Sequence, residues 1–99
     1  MRLNKRTQSI IHNTAADFFG LEATVYLFGS RTDDSAKGGD IDLYIETDQP
    51  LENRASAAAR FSASLQRQLG DQKIDVIVAD PQTPRLPIHD AARREGIRL

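Results

Sequence analysis

The chain has 99 residues, with 13 Lys plus Arg against 14 Asp plus Glu and a formal net charge of -1, so its overall charge marks neither a nucleic-acid binder nor a membrane-surface protein. It contains no cysteine, which excludes disulfides, thiolate metal sites and a cysteine nucleophile and fits a reducing compartment. The opening MRLNKRTQSIIHNT lacks the apolar segment of a secretory leader and no stretch approaches a membrane span, so one soluble cytoplasmic domain over residues 1–99 is expected, near the lower size at which a chain buries its own core.

Residues 4–19 place Thr7, Ile10, Ile11, Ala15, Phe18 and Phe19 at helical spacing, with Gly20 where a C-cap belongs. ATVYLF, residues 23–28, is β-branched and aromatic and runs into Gly29, as a buried strand ending at a turn does. DIDLYIE, residues 40–46, alternates strictly, with Ile41, Leu43 and Ile45 on one face and Asp40, Asp42, Tyr44 and Glu46 on the other. From Pro50, Leu51, Ala55, Ala58, Phe61, Leu65 and Leu69 recur at steps of three and four until Gly70, which predicts a second helix. KIDVIVA, residues 73–79, is a third strand; Pro81, Pro84 and Pro87 mark a connector into a last helix over 88–95, closed by Gly96. The order predicts an α/β (α+β) fold: a small mixed β-sheet with helices packed on one face.

In an extended strand Asp40 and Asp42 project from the same side, about 6.5–7 Å apart at the backbone. Two bare carboxylates at that separation repel by about 2–3 kcal/mol at an effective dielectric near 20, and a bound cation reverses the sign. In the third strand Asp75 has the parity opposite to Ile74, Val76 and Val78, so if the apolar sides of both strands meet the same helices, Asp75 shares a face with Asp40 and Asp42. Three hard oxygen donors suit Mg²⁺ or Mn²⁺, which take their remaining ligands from water and substrate phosphates. Gly29 and Ser30, at the end of the first strand, give a turn that brings N–H groups and a hydroxyl to phosphate oxygens, and Arg31 adds a positive charge or pairs with Asp33 or Asp34.

Taken singly, an Asp-x-Asp strand is a solvated face and Gly-Ser is turn chemistry. Order and spacing together carry more: apolar strand, Gly-Ser, Asp-Ile-Asp in an alternating strand, helix, then Asp in a further strand. FGSRTDDSAKGGDIDLYIE together with KIDVIVAD resembles the signature of the polymerase β-like nucleotidyltransferase superfamily, and in its brevity the minimal nucleotidyltransferase (MNT) domains paired with HEPN-domain proteins. The closing AARREGIRL also resembles the last helix of those minimal domains. The resemblance implies that Gly29 and Ser30, with Arg31 beside them, bind the nucleotide, that Asp40 and Asp42 ligate two ions of Mg²⁺ or Mn²⁺, and that Asp75 completes the metal site and helps activate the incoming hydroxyl. Lys37 stands where many relatives carry arginine and proline. ATP is the implied donor, and a tyrosine of a HEPN toxin the implied acceptor, making the chain an antitoxin. So short a chain leaves little room for an acceptor domain, so a partner or a second copy supplies that site. The alternatives are a binding module that neutralises its partner by contact, and a small-molecule modifier resembling aminoglycoside nucleotidyltransferases.

Other motifs fail. The loop from Asp33 has Gly38 at the sixth EF-hand place, but Tyr44 stands at the twelfth, where calcium needs a bidentate glutamate. Neither a P-loop nor a G-x-G-x-x-G motif occurs. His12 and His89 read as surface or partly packed histidines. Arg2, Lys5, Arg6, Arg93 and Arg94 read as solvated helix faces.

Overall fold

The computed structural model describes residues 3–29, 41–70 and 72–99. In chain order these form helix α1 (Lys5–Phe19), strand β1 (Thr24–Phe28), strand β2 (Ile41–Glu46), helix α2 (Arg54–Leu69), strand β3 (Ile74–Ala79), helix α3 (Pro87–Glu95) and the two-residue strand β4 (Ile97–Arg98). The sheet order is β3-β2-β1-β4. β1 runs antiparallel to β2 and to β4, while β2 and β3 are parallel. Parallel neighbours need a crossover, and α2 is that crossover.

The two long helices start at side-chain caps and stop at glycines. Asn4 Oδ1 accepts from Thr7 N–H at 2.8 Å to open α1, and Gly20 N–H donates to Ala16 C=O at 2.9 Å to close it. Asn53 does the same for α2, accepting from Ser56 N–H at 2.9 Å. The second helix thus begins after Asn53 and not at Pro50. The intervening turn is held elsewhere: Leu51 N–H donates to Asp80 at the end of β3, at 2.8 Å.

Ile11, Ala15 and Phe19 of α1 and Ala57, Phe61 and Leu65 of α2 bury against Val25, Leu27, Ile41, Leu43, Ile45, Ile74 and Val78 of the sheet. Phe19 and Phe61 meet edge to face, ring centroids 5.4 Å apart. Each large side chain buried here contributes about 1.5–3 kcal/mol relative to exposure. The outward parity of every strand is thereby set: Phe28, Asp42, Tyr44, Glu46, Asp75 and Ile77 face away from α1 and α2.

Helix α3 departs from the expectation that the helices pack on one face. It lies on the side opposite α1 and α2, with its His89 ring stacked on Tyr44 at 5.5 Å and an interplanar angle of 13°. Helices of 15 and 16 residues already fill the apolar side. The aromatic surface of Tyr26 and Tyr44 is what the other side offers a third helix. The chain then turns at Gly96, where an added Cβ would approach Leu27 C=O to 3.0 Å, and pairs Ile97 and Arg98 with β1 as the unanticipated edge strand.

Candidate active site

One row across the sheet brings two of the expected site residues together. Phe28 of β1 is the Cα partner of Asp42 in β2, and Asp42 is the Cα partner of Asp75 in β3. Laterally paired residues point to the same face, so Asp42 and Asp75 stand side by side on the surface that α1 and α2 leave uncovered. Asp75 is exposed and Asp42 half-buried.

Gly29 closes β1 next to this row and is required there twice. Its φ of +78° lies in the left-handed region, where a Cβ is strained. A Cβ built on it would also collide with Asp42 Oδ2. The Asp42 carboxylate therefore lies over the glycine backbone, which brings the acid and the turn into one corner. Ser30, Arg31 and Asp40, the remaining site residues expected from sequence, lie outside the described residues, as do Asp33, Asp34 and Lys37.

Among the described residues no three His, Cys, Asp or Glu side chains form a metal-sized cluster. Asp42 and Asp75 nevertheless supply two hard oxygen donors on adjacent strands. That donor set fits Mg²⁺, which binds through one or two carboxylates together with substrate phosphates and retained water.

Two to four residues further along β2 the face changes character. Tyr44 is only 1% exposed; its ring is stacked between His89 and Tyr26, the latter at 5.9 Å. The Tyr44 hydroxyl donates to Glu46 Oε2 at 3.0 Å, and burial with this acidic neighbour pushes the phenol up to about 12. Arg93 Nη2 donates to the same Glu46 oxygen, and that hydrogen bond raises the guanidinium above its ordinary value. Arg93 is thus a clamp between α3 and the sheet and not a purely solvated residue. His89 is buried and its Nδ1 accepts from Leu86 N–H at 3.3 Å, a packed histidine, while His12 is exposed. Arg85 pairs with Asp90 at 2.6 Å and holds that carboxyl below its usual range.

Sequence reasoning did not find this clamp. The available signals were two tyrosines of outward parity in neighbouring strands and His89 and Arg93 at i, i+4 on one helix face.

Among the described residues no helix is long and apolar enough to cross a membrane. No curated protein matches the chain in sequence. The profile of one family, described as "Nucleotidyltransferase domain", matches residues 10–97, which run from within α1 to the start of β4 and include Gly29, Asp42 and Asp75. With nearly its whole length matched, and a mixed sheet compatible with that fold, the chain belongs to the nucleotidyltransferase domain family and so to the proteins that move a nucleotidyl group from a nucleoside triphosphate.

Proposed function

We propose that this chain transfers AMP from ATP to a hydroxyl group, the acceptor being a tyrosine of a HEPN-domain toxin that the chain thereby neutralises as its antitoxin. The observation that carries the transfer chemistry is the lateral pairing of Asp42 with Asp75 beside Gly29. The choice of acceptor rests on the resemblance of FGSRTDDSAKGGDIDLYIE, KIDVIVAD and the closing AARREGIRL to minimal nucleotidyltransferases. On this reading residues 1–99 work as one minimal domain in the cytoplasm, and the partner toxin or a second copy completes the acceptor site.

Asp40, Asp42 and Asp75 are the residues that hold Mg²⁺ or Mn²⁺. Two such ions, when bound, neutralise charge on the entering and leaving oxygens of an in-line displacement. Gly29 and Ser30 offer backbone N–H groups and a hydroxyl to the phosphates, and Arg31 opposes the charge of the polyphosphate tail. The acceptor oxygen bonds to the α-phosphorus as the bond from that phosphorus to the bridging oxygen breaks, and pyrophosphate leaves. Asp75, exposed at the open edge of the site, takes up the hydroxyl proton. Placement and charge carry the rate, with no covalent intermediate on the protein.

The test is incubation of the chain with Mg²⁺, ATP labelled at the α-phosphate and a HEPN-domain toxin, followed by mass spectrometry of the toxin. Added AMP on a tyrosine, absent with Asp42→Asn, supports the proposal. Neutralisation of the toxin by Asp42→Asn without any added mass assigns the protein to contact binding instead.

A further inference from the structure

Beside Gly29, between the end of β1 and α3, lies a hollow of ≈ 340 Å³ lined, among the described residues, by Phe28, Gly29, Ile88, Ala91, Ala92 and Glu95. Its volume falls in the range of about 300–1,000 Å³ typical of small-molecule pockets, and its make-up is that of such a pocket: apolar walls with one polar group at the edge. Ile88 is 49% exposed, so its side chain is accessible at the wall of the hollow.

Two connections tie the hollow to the carboxylates. Phe28 is the Cα partner of Asp42, so its half-buried ring stands next to the acid on the same face. Gly29 lines the hollow and also passes beneath the Asp42 carboxylate. A molecule whose phosphates reach Gly29 and Asp42 therefore has an apolar recess within reach of its remaining part.

We infer that this hollow binds the nucleoside portion of the triphosphate, with the base against Phe28, Ile88 and Ala91 and a ribose hydroxyl donating to Glu95. A planar base presents a π-face that stacks on aromatic and aliphatic surface. A carboxylate only accepts hydrogen bonds, and ribose hydroxyls are donors of the matching kind. Among the described residues the apolar walls carry no directional base reader. This inference rests on the nucleotidyltransferase reading of the Asp42 and Asp75 corner and adds to it where the nucleoside sits.

Calorimetric titration with ATP and with inorganic tripolyphosphate, both with Mg²⁺, separates the two ideas. The parent chain binds ATP on the order of tenfold tighter than tripolyphosphate, the increment of stacking one base. Ala91→Phe, which fills the hollow, brings ATP down to the tripolyphosphate level and leaves tripolyphosphate binding unchanged. Equal binding of the two ligands by the parent, or an intact ATP preference in Ala91→Phe, overturns the inference while leaving the phosphate corner standing. If neither ligand binds, or if Asp42→Asn binds both as the parent does, the phosphate corner and the inference fall together. The chain has no tryptophan, so Ile88→Trp, at the exposed wall of the hollow, gives a second, spectroscopic readout. ATP changes its fluorescence and tripolyphosphate does not; equal responses to both count against the inference.

Discussion

Strand β2 presents two acidic residues of the same parity, Asp42 and Glu46, and the molecule treats them in opposite ways. At the Glu46 end α3 packs on the sheet, Arg93 and the Tyr44 hydroxyl both bond the carboxylate, and the Tyr44 ring is buried between Tyr26 and His89. At the Asp42 end a second carboxylate, Asp75, stands in the directly paired position, the arrangement that isolated stability disfavours. At one end a carboxylate is tied to α3 by Arg93, whereas at the other two carboxylates stand side by side next to a glycine whose left-handed φ disfavours a Cβ.

The largest effect expected of any substitution is loss of transfer at the open end. Asp42→Asn and Asp75→Asn each reduce nucleotidyl transfer on the order of 10²-fold or more, measured as label transfer from ATP, while far-ultraviolet circular dichroism stays that of the parent. A matching substitution at the covered end, Glu46→Gln, leaves transfer within a few-fold of the parent. Equal losses at both ends would erase the contrast between them.

Gly29→Ala comes next. The left-handed φ costs an alanine about 1–2 kcal/mol, and the new methyl displaces the Asp42 carboxylate. Urea titration therefore shows a lower midpoint, and transfer falls by more than the lost stability alone explains. Tyr44→Phe removes one partly buried hydrogen bond to Glu46 and lowers stability by about 1 kcal/mol without altering transfer. Asp75→Asn, in the absence of divalent ions, raises stability by roughly 0.2–1 kcal/mol because it relieves the like-charge pair. A variant more stable and less active than its parent is the signature of a functional carboxylate.

The end of β3 adds a pH dependence unrelated to the site. Asp80 accepts from Leu51 N–H, Thr83 Oγ1 and Gln82 N–H, and these bonds, the first above all, hold its carboxyl below the ordinary value of 3.8. A carboxyl more acidic folded than unfolded lends stability that is fully present above about pH 4 and fades as pH falls through the folded value. Asp80→Asn makes the acid limb of a thermal-melt series shallower than the parent's, whereas an unchanged acid limb assigns the bonds no energetic weight.

Much of this layout was legible in residue spacing. Periodicity located both long helices and three strands, because their apolar stripes fill one core, and the parity of Asp75 followed from that of Ile74, Val76 and Val78. The register that sets Asp75 beside Asp42 was not legible, since parity fixes a face and says nothing of position along a neighbouring strand. Nor was the placement of α3, whose attachment depends on one ring stack and one charged clamp. β4 was missed because two residues carry no period.

The central claim, that a divalent ion is held at the Asp42 and Asp75 end of the face, is tested most directly by substoichiometric Mn²⁺ with tripolyphosphate added to isotope-labelled protein. Broadening of amide resonances is expected to be strongest at Gly29, Asp42 and Asp75 and to fall away steeply toward Glu46 and Ala79, four residues or about 13 Å farther along the strands. Broadening centred on Glu46 and Asp80, or spread without a centre, would contradict it.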